Sequence, residues 1–381
     1  MTQARSSLVP AGVDGYYHCV TRCVRRAWLC GLDPLSGKNF EHRRDWIEDR
    51  LADLSDVFAV SIWSYAVMSN HVHAVIEIRA EAAQAWSAEV VAQRWLRLYP
   101  SKVESADKAV EVLAGSAARI EVLRKRLCSL SWFMKSLNEP IARRANAEDE
   151  CTGRFWEGRF TSQPLLDEAA VMSAMAYVDL NPIRAGVTDT LEGSHYTSIV
   201  KRIRALAAAR AAGGESERQE VGRTSPELHP TQSQSARSAA IDQQTSPAEG
   251  QMTVQTDQPE ASKDKPAAPL TADAQAAPLT AILGLGGSLI AAISSHQYIE
   301  LVDLAGRDWH PGKRGRISGP PPAVLAKLGI ATERWIDHVK AVRPKAGFWR
   351  AIGSEESLIA KAAAMGQHWL CGLNIARSLQ S

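Results

Sequence analysis

The residues best suited to catalysis stand together at His71-Val72-His73-Ala74-Val75-Ile76-Glu77-Ile78. In a strand, alternate side chains point to opposite faces. Val72, Ala74, Ile76 and Ile78 then share a wholly apolar face, which suits packing on helices. His71, His73, Val75 and Glu77 share the other. Two imidazoles two residues apart project the same way, within reach of one divalent ion, and imidazole is a common metal ligand. Such a pair leaves coordination positions open, as a metal acting on phosphate requires. On spacing alone, two half-exposed histidines on a polar sheet face are the plainer reading. Cys19, Cys23 and Cys30, with His18, invite a zinc reading. They lack a CxxC pair, so buried free thiols are expected instead.

The elements that must position this strand are legible as periodicities. Tyr16 to Trp28 is rich in aromatic and β-branched residues and predicts a strand. Phe40 to Phe58 carries Trp46, Ile47, Leu51, Leu54, Val57 and Phe58 at helical spacing. Val60 to Met68 is a second strand, Ser69-Asn70 supplies turn chemistry, and His71 to Ile78 completes a hairpin. Helical patterns run from Glu81 to Asn146 in two or three pieces, with Pro140 expected to kink or restart one. Gly153 to Leu165 reads as a strand or extended arm. Asp167 is a good N-cap for a helix with Val171, Met175 and Val178 on one face, and Asn181-Pro182 stops it. The order strand, helix, strand, strand, helix, strand predicts an α+β fold: a ferredoxin-like split βαβ sandwich with an antiparallel sheet.

The chain has 381 residues and a formal net charge of +2, so any basic surface must be local. There is neither an apolar run long enough to span a membrane nor a secretory leader, and the cysteines are few and scattered. A cytoplasmic protein with no membrane partner is expected. No Phe, Tyr or Trp occurs between Tyr196 and Tyr298, and much of that stretch is Ser, Thr, Gln, Glu, Pro and Ala. It buries too little apolar surface to offset the entropy of ordering. Residues 1–204 therefore read as one domain, 205–280 as a disordered linker, and 281–381 as a small, mostly helical accessory module with a basic loop at Arg307–Arg316. Gly284-Leu-Gly-Gly-Ser lacks the strand-then-helix context of a phosphate loop.

Three segments carry a family resemblance. Ser64-Tyr-Ala-Val-Met-Ser-Asn-His-Val-His-Ala-Val75 resembles the hallmark strand of the insertion-sequence-200-like (HUH, single-tyrosine) transposases, the REP-associated tyrosine transposases among them. Cys151-Thr-Gly-Arg-Phe-Trp-Glu-Gly-Arg-Phe160, followed by Tyr177-Val-Asp-Leu-Asn-Pro-Ile-Arg-Ala-Gly186, is similar to that family's later motifs. Tyr17-His-Cys-Val-Thr-Arg22 is similar to its first strand. The resemblance spans about half the chain. It implies a ferredoxin-like fold and a divalent metal, Mg²⁺ or Mn²⁺, held by His71 and His73. It also implies action on single-stranded or hairpin DNA in transposition, by monomers or homodimers.

One position departs from the family. There a helix-borne tyrosine, five residues before an Asn, attacks the phosphate and forms a phosphotyrosine link. Here Asn146 matches the Asn and Ile141 occupies the nucleophile position. Three alternatives stay open. The domain binds hairpins without cutting, as a domesticated protein. Or another tyrosine, such as Tyr99, substitutes. Or an activated water acts with help from Glu77, Glu139 or Glu148. Arg143, Arg144, Arg154, Arg159 and Arg184 are candidate phosphate contacts, with Trp156 as a stacking surface for an unpaired base. Phe155 is expected in the core.

Overall fold

The computed structural model describes residues 9–223, less 11, 25–28, 35 and 104. Beyond these it describes 279–285, 293–308, 314–318, 332–342 and 351–377, less 369, 371, 372, 374 and 375. Strand β1 (Gly15–Arg22) leads to helix α1 (Arg43–Val57) and the hairpin β2 (Val60–Val67) and β3 (His71–Ile78). Five helices follow: α2 (Ala80–Gln84), α3 (Ala88–Leu98), α4 (Ala106–Ala114), α5 (Ala117–Leu127) and α6 (Leu130–Glu148). Then come β4 (Thr161–Leu165), α7 (Glu168–Asp179), α8 (Asn181–Arg184) and α9 (Ser198–Arg223). The C-terminal region adds β5 (Leu283–Gly284), α10 (Ser295–Arg307), α11 (Thr332–Ala341) and α12 (Glu355–Ala364). The strands form one antiparallel sheet, in the order β4-β1-β3-β2-β5. The architecture is α+β. No helix among the described residues is long and apolar enough to cross a membrane.

The alternation read along β3 separates two cores. Val72, Ala74, Ile76 and Ile78 are buried with Leu51, Leu54 and Phe58 beside α1, and with Phe133 and Leu137 of α6. Phe58 and Phe133 meet edge to face, 5.5 Å between centroids. Val75 faces the other way, into a core built with Val171, Met175 and Val178 of α7 and Tyr298 and Leu301 of α10. A bulge at Trp63 shifts the β2–β3 register between Ile62 and Ser64, and turns Trp63 into this second core.

Pro140 lies inside a continuous α6, where a kink or restart was expected. Proline leaves the carbonyl four residues earlier without its helical donor. That carbonyl, of Ser136, accepts instead from Arg50 Nε of α1 at 3.1 Å. Asp167 caps α7 as its sequence position predicts, accepting from the Ala170 amide at 2.9 Å.

Described residues of the C-terminal region pack on the sheet. Leu279, Ile293, Tyr298, Leu301, Trp335 and Val339 share the second core with α7 and the sheet, and β5 pairs with β2 at the sheet edge. Gly284 has φ +97°, and a Cβ there would collide with the Val60 carbonyl oxygen, so this edge pairing needs glycine. The expected linker at 205–280 begins within α9, which runs to Arg223; residues 224–278 lie outside the described residues.

A buried polar network joins the regions. Asp179, wholly buried at the end of α7, accepts from Ser198 Oγ, from the Ile199 amide at 3.1 Å and from Tyr298 Oη at 2.6 Å. Burial pushes its carboxyl from 3.8 up to about 6, against the opposing pull of these donors and of Arg202. A carboxyl raised on folding favours the protonated native state, so its stabilisation is greatest at low pH and is lost as pH rises. Between about pH 4 and 6 the fold should lose about 3 kcal/mol from this group. Denaturant midpoints measured across that range should show the loss, and Asp179→Asn should flatten it.

Candidate functional site

Strand pairing brings the site together. In the β1–β3 register Val20 lies opposite His73 and His18 opposite Val75, so His18 and His73 are diagonal neighbours on one face. Their rings stack, centroids 5.2 Å apart, with His18 Nε2 and His73 Nδ1 at 3.0 Å. His71 meets His73 edge-on at 4.7 Å, and its Nδ1 lies 2.5 Å from Asn70 Oδ1 in the hairpin turn. From α7, across the sheet face, the Tyr177 ring comes to 5.9 Å from both His18 and His73. β4 places Gln163 opposite His18. Arg22 lies opposite His71, exposed at the rim.

Burial sets the electrostatics. His18 is 1% exposed and His73 2% exposed because α7 covers their sheet face. Desolvation lowers the His18 pKa to about 4, with the Gln163 side chain opposing weakly, so His18 is neutral at pH 7. One nitrogen of the His18–His73 pair must carry the shared proton. If His73 Nδ1 donates it, Nε2 is the nitrogen through which His73 can bind a cation, and His18 then holds ring and tautomer in place. Asn70 orients His71 in the same way. Among the described residues no group of three His, Cys, Asp or Glu side chains is arranged to hold a metal. His71 and His73 are the two imidazoles that the strand brings together here, a ligand type that divalent ions accept.

The remaining candidates from the sequence stand elsewhere. Glu77 lies four residues along β3 from His73, roughly 13 Å at strand rise; it accepts from Trp63 Nε1 at 3.0 Å and lies 3.6 Å from Arg79. Ile141 is 4% exposed, in the core over the opposite face of β3. Tyr99 is 43% exposed at the end of α3, its ring 4.7 Å from Trp95. Glu139 pairs with Arg143, and Glu148 accepts from His42 and from Arg43, each at 2.7 Å.

The arginines separate into two groups. Arg143, Arg144, Arg154 and Arg159 are exposed, with Arg144 lying 3.8 Å over the Trp46 ring. Trp156 is half-buried, spends its indole N–H on the Asn138 carbonyl at 2.8 Å and packs on Phe155, which is buried as expected. Arg184 differs from them: it is 8% exposed and donates to the Ala305 and Asp308 carbonyls at the end of α10, which holds the C-terminal region there. Cys19, Cys23 and Cys30 are buried and form no disulfide.

The sequence offers His18 as a zinc partner and within the first-strand motif, and Tyr177 only within a motif. Period-two alternation puts His18 on one face of β1, but its meeting with His73 needs the register. Tyr177 lies beside the apolar stripe of α7, and nothing local tells which strand that helix crosses. No known protein family, curated protein or solved structure matches this chain.

Arg184→Ala should lower stability by about 1–3 kcal/mol, because buried carbonyls lose their donors. The double replacement Arg154→Ala with Arg159→Ala should leave the melting temperature unchanged. Thermal unfolding of the two variants separates the roles.

Proposed function

We propose that the protein binds single-stranded or hairpin DNA and cuts and rejoins its phosphodiester bonds, in the manner of the HUH transposases its motifs resemble. The observation that carries this reading is the imidazole pair on the central strand, oriented through Asn70 and His18 and faced by a phenol from α7. The strand order β4-β1-β3-β2, with α1 and the α2–α6 block as crossings, supports a ferredoxin-like split βαβ frame for it.

His71 and His73 would hold Mg²⁺ or Mn²⁺. Such an ion, when bound, polarises a phosphate oxygen and offsets the charge that builds there. The chain's own residues do the rest. Asn70 and His18 fix the imidazoles. Arg22, exposed opposite His71, attracts the phosphate. The exposed Arg154 and Arg159 lie in the segment that bridges to β1 through Cys23 and Trp156, and extend a backbone-binding track.

A second reading, a hairpin binder that does not cut, is favoured by one observation. The position of the family nucleophile is Ile141, buried among apolar side chains. Titration with Mn²⁺ tests the imidazole pair that the cutting reading needs. His71→Ala with His73→Ala should abolish binding, and His18→Phe should weaken it about 10- to 100-fold. Unchanged Mn²⁺ affinity in the double variant would exclude the pair as ligands. Nicking of a hairpin-bearing single strand by the wild type then separates cutter from binder.

A further inference from the structure

We propose that Tyr177 is the nucleophile of this site, moving to α7 the role that the resembling family assigns to the helix matched by α6. This rests on the phosphodiester reading above. The chain has seven tyrosines, and six of them have other places. Tyr17 and Tyr65 are buried in the core over the opposite sheet face, and Tyr65 donates to Glu48 at 2.6 Å. Tyr16 hydrogen-bonds Glu77 near the other end of β3. Tyr298 is wholly buried and donates to Asp179. Tyr196 sits beside Asp45, its ring under Arg44. Tyr99 lies tilted against Trp95, which packs on the core over the opposite sheet face. Tyr177 alone among them contacts the histidines, at 5.9 Å from two of the rings, and it is half-buried.

The segment Tyr177-Val-Asp-Leu-Asn-Pro acquires a purpose in this arrangement. Asn181 Nδ2 donates to the Tyr177 carbonyl at 3.0 Å and to that of Val178 at 3.4 Å, which closes the end of α7. Asp179, two residues on, ties the same helix end to Ser198, Ile199 and Tyr298. A side chain on a helix end locked from both sides is held in position before substrate arrives. In the step itself, the Tyr177 phenol oxygen attacks phosphorus and an O–P bond forms. The P–O bond to one deoxyribose breaks. The phenol proton leaves to water, and the departing sugar oxygen takes one up to become a hydroxyl. Attack by that hydroxyl on the phosphotyrosine reverses the step and reseals the strand, with no oxidant or external energy.

The test uses the full chain with a labelled hairpin-bearing oligonucleotide and Mn²⁺. A covalent protein–DNA adduct should form, and mass spectrometry should place it on the peptide carrying Tyr177. Tyr177→Phe should lower adduct formation at least about 100-fold while Mn²⁺ affinity and oligonucleotide affinity stay within about 2-fold of wild type. Tyr99→Phe should leave the adduct unchanged. An adduct on another residue, an adduct retained in Tyr177→Phe, or strand cleavage by the wild type without any adduct would each overturn the assignment while leaving the phosphodiester reading intact. If the Phe variant fails to fold, the mapped position in the wild type decides. A wild type that neither binds Mn²⁺ nor cuts removes the phosphodiester reading and this assignment with it.

Discussion

The antiparallel pairing of β1 with β3 is what the site rests on. Eight residue pairs, from Gly15 opposite Ile78 to Arg22 opposite His71, fix which side chains share a face. A slip of one residue would send His18 into the core occupied by Tyr17 and Cys19, and would part it from His73. That slip is opposed by the apolar set on β3, since Val72, Ala74, Ile76 and Ile78 would meet polar partners. The hydrophobic alternation that builds the first core thus also sets the geometry of the imidazoles on the other side.

Burial of both sheet faces is the second organising fact. Covering the histidine face with α7 and α10 desolvates groups that prefer water. The structure answers with reciprocal hydrogen bonds. His18 answers His73. Asp179 collects three donors, and Arg202 donates to the Thr280 and Trp63 carbonyls, each at 2.8 Å. Several of these partners come from the C-terminal region, whose described residues Leu279, Tyr298 and Leu301 share a core with the sheet despite their distance in sequence. Arg184 shows the same logic, a cation turned inward to finish the end of α10.

The two sheet faces have divided their labour. The side with α1 and α6 is packing, and the position where a nucleophile was sought, Ile141, is part of it. The side with α7 carries imidazoles from two strands, a phenol from a helix and an arginine at the rim. Helix α6 itself lies over the packing face of the sheet.

Much of this was legible residue by residue. The strand alternation from His71 to Ile78, the hairpin turn at Ser69-Asn70, the cap at Asp167 and the helical stripe Val171-Met175-Val178 all depend on neighbours within a few positions, and local sequence carries that information. It also separated His71 and His73 from the apolar face. Three things escaped it. The meeting of His18 and His73 depends on a register between strands 55 residues apart. The approach of Tyr177 depends on where α7 crosses the sheet. The packing of Leu279, Tyr298 and Trp335 with the sheet depends on a core assembled from distant parts of the chain. Each is a long-range contact, selected by the packing of whole faces against one another, and composition or periodicity in a single stretch has no means of encoding its partner.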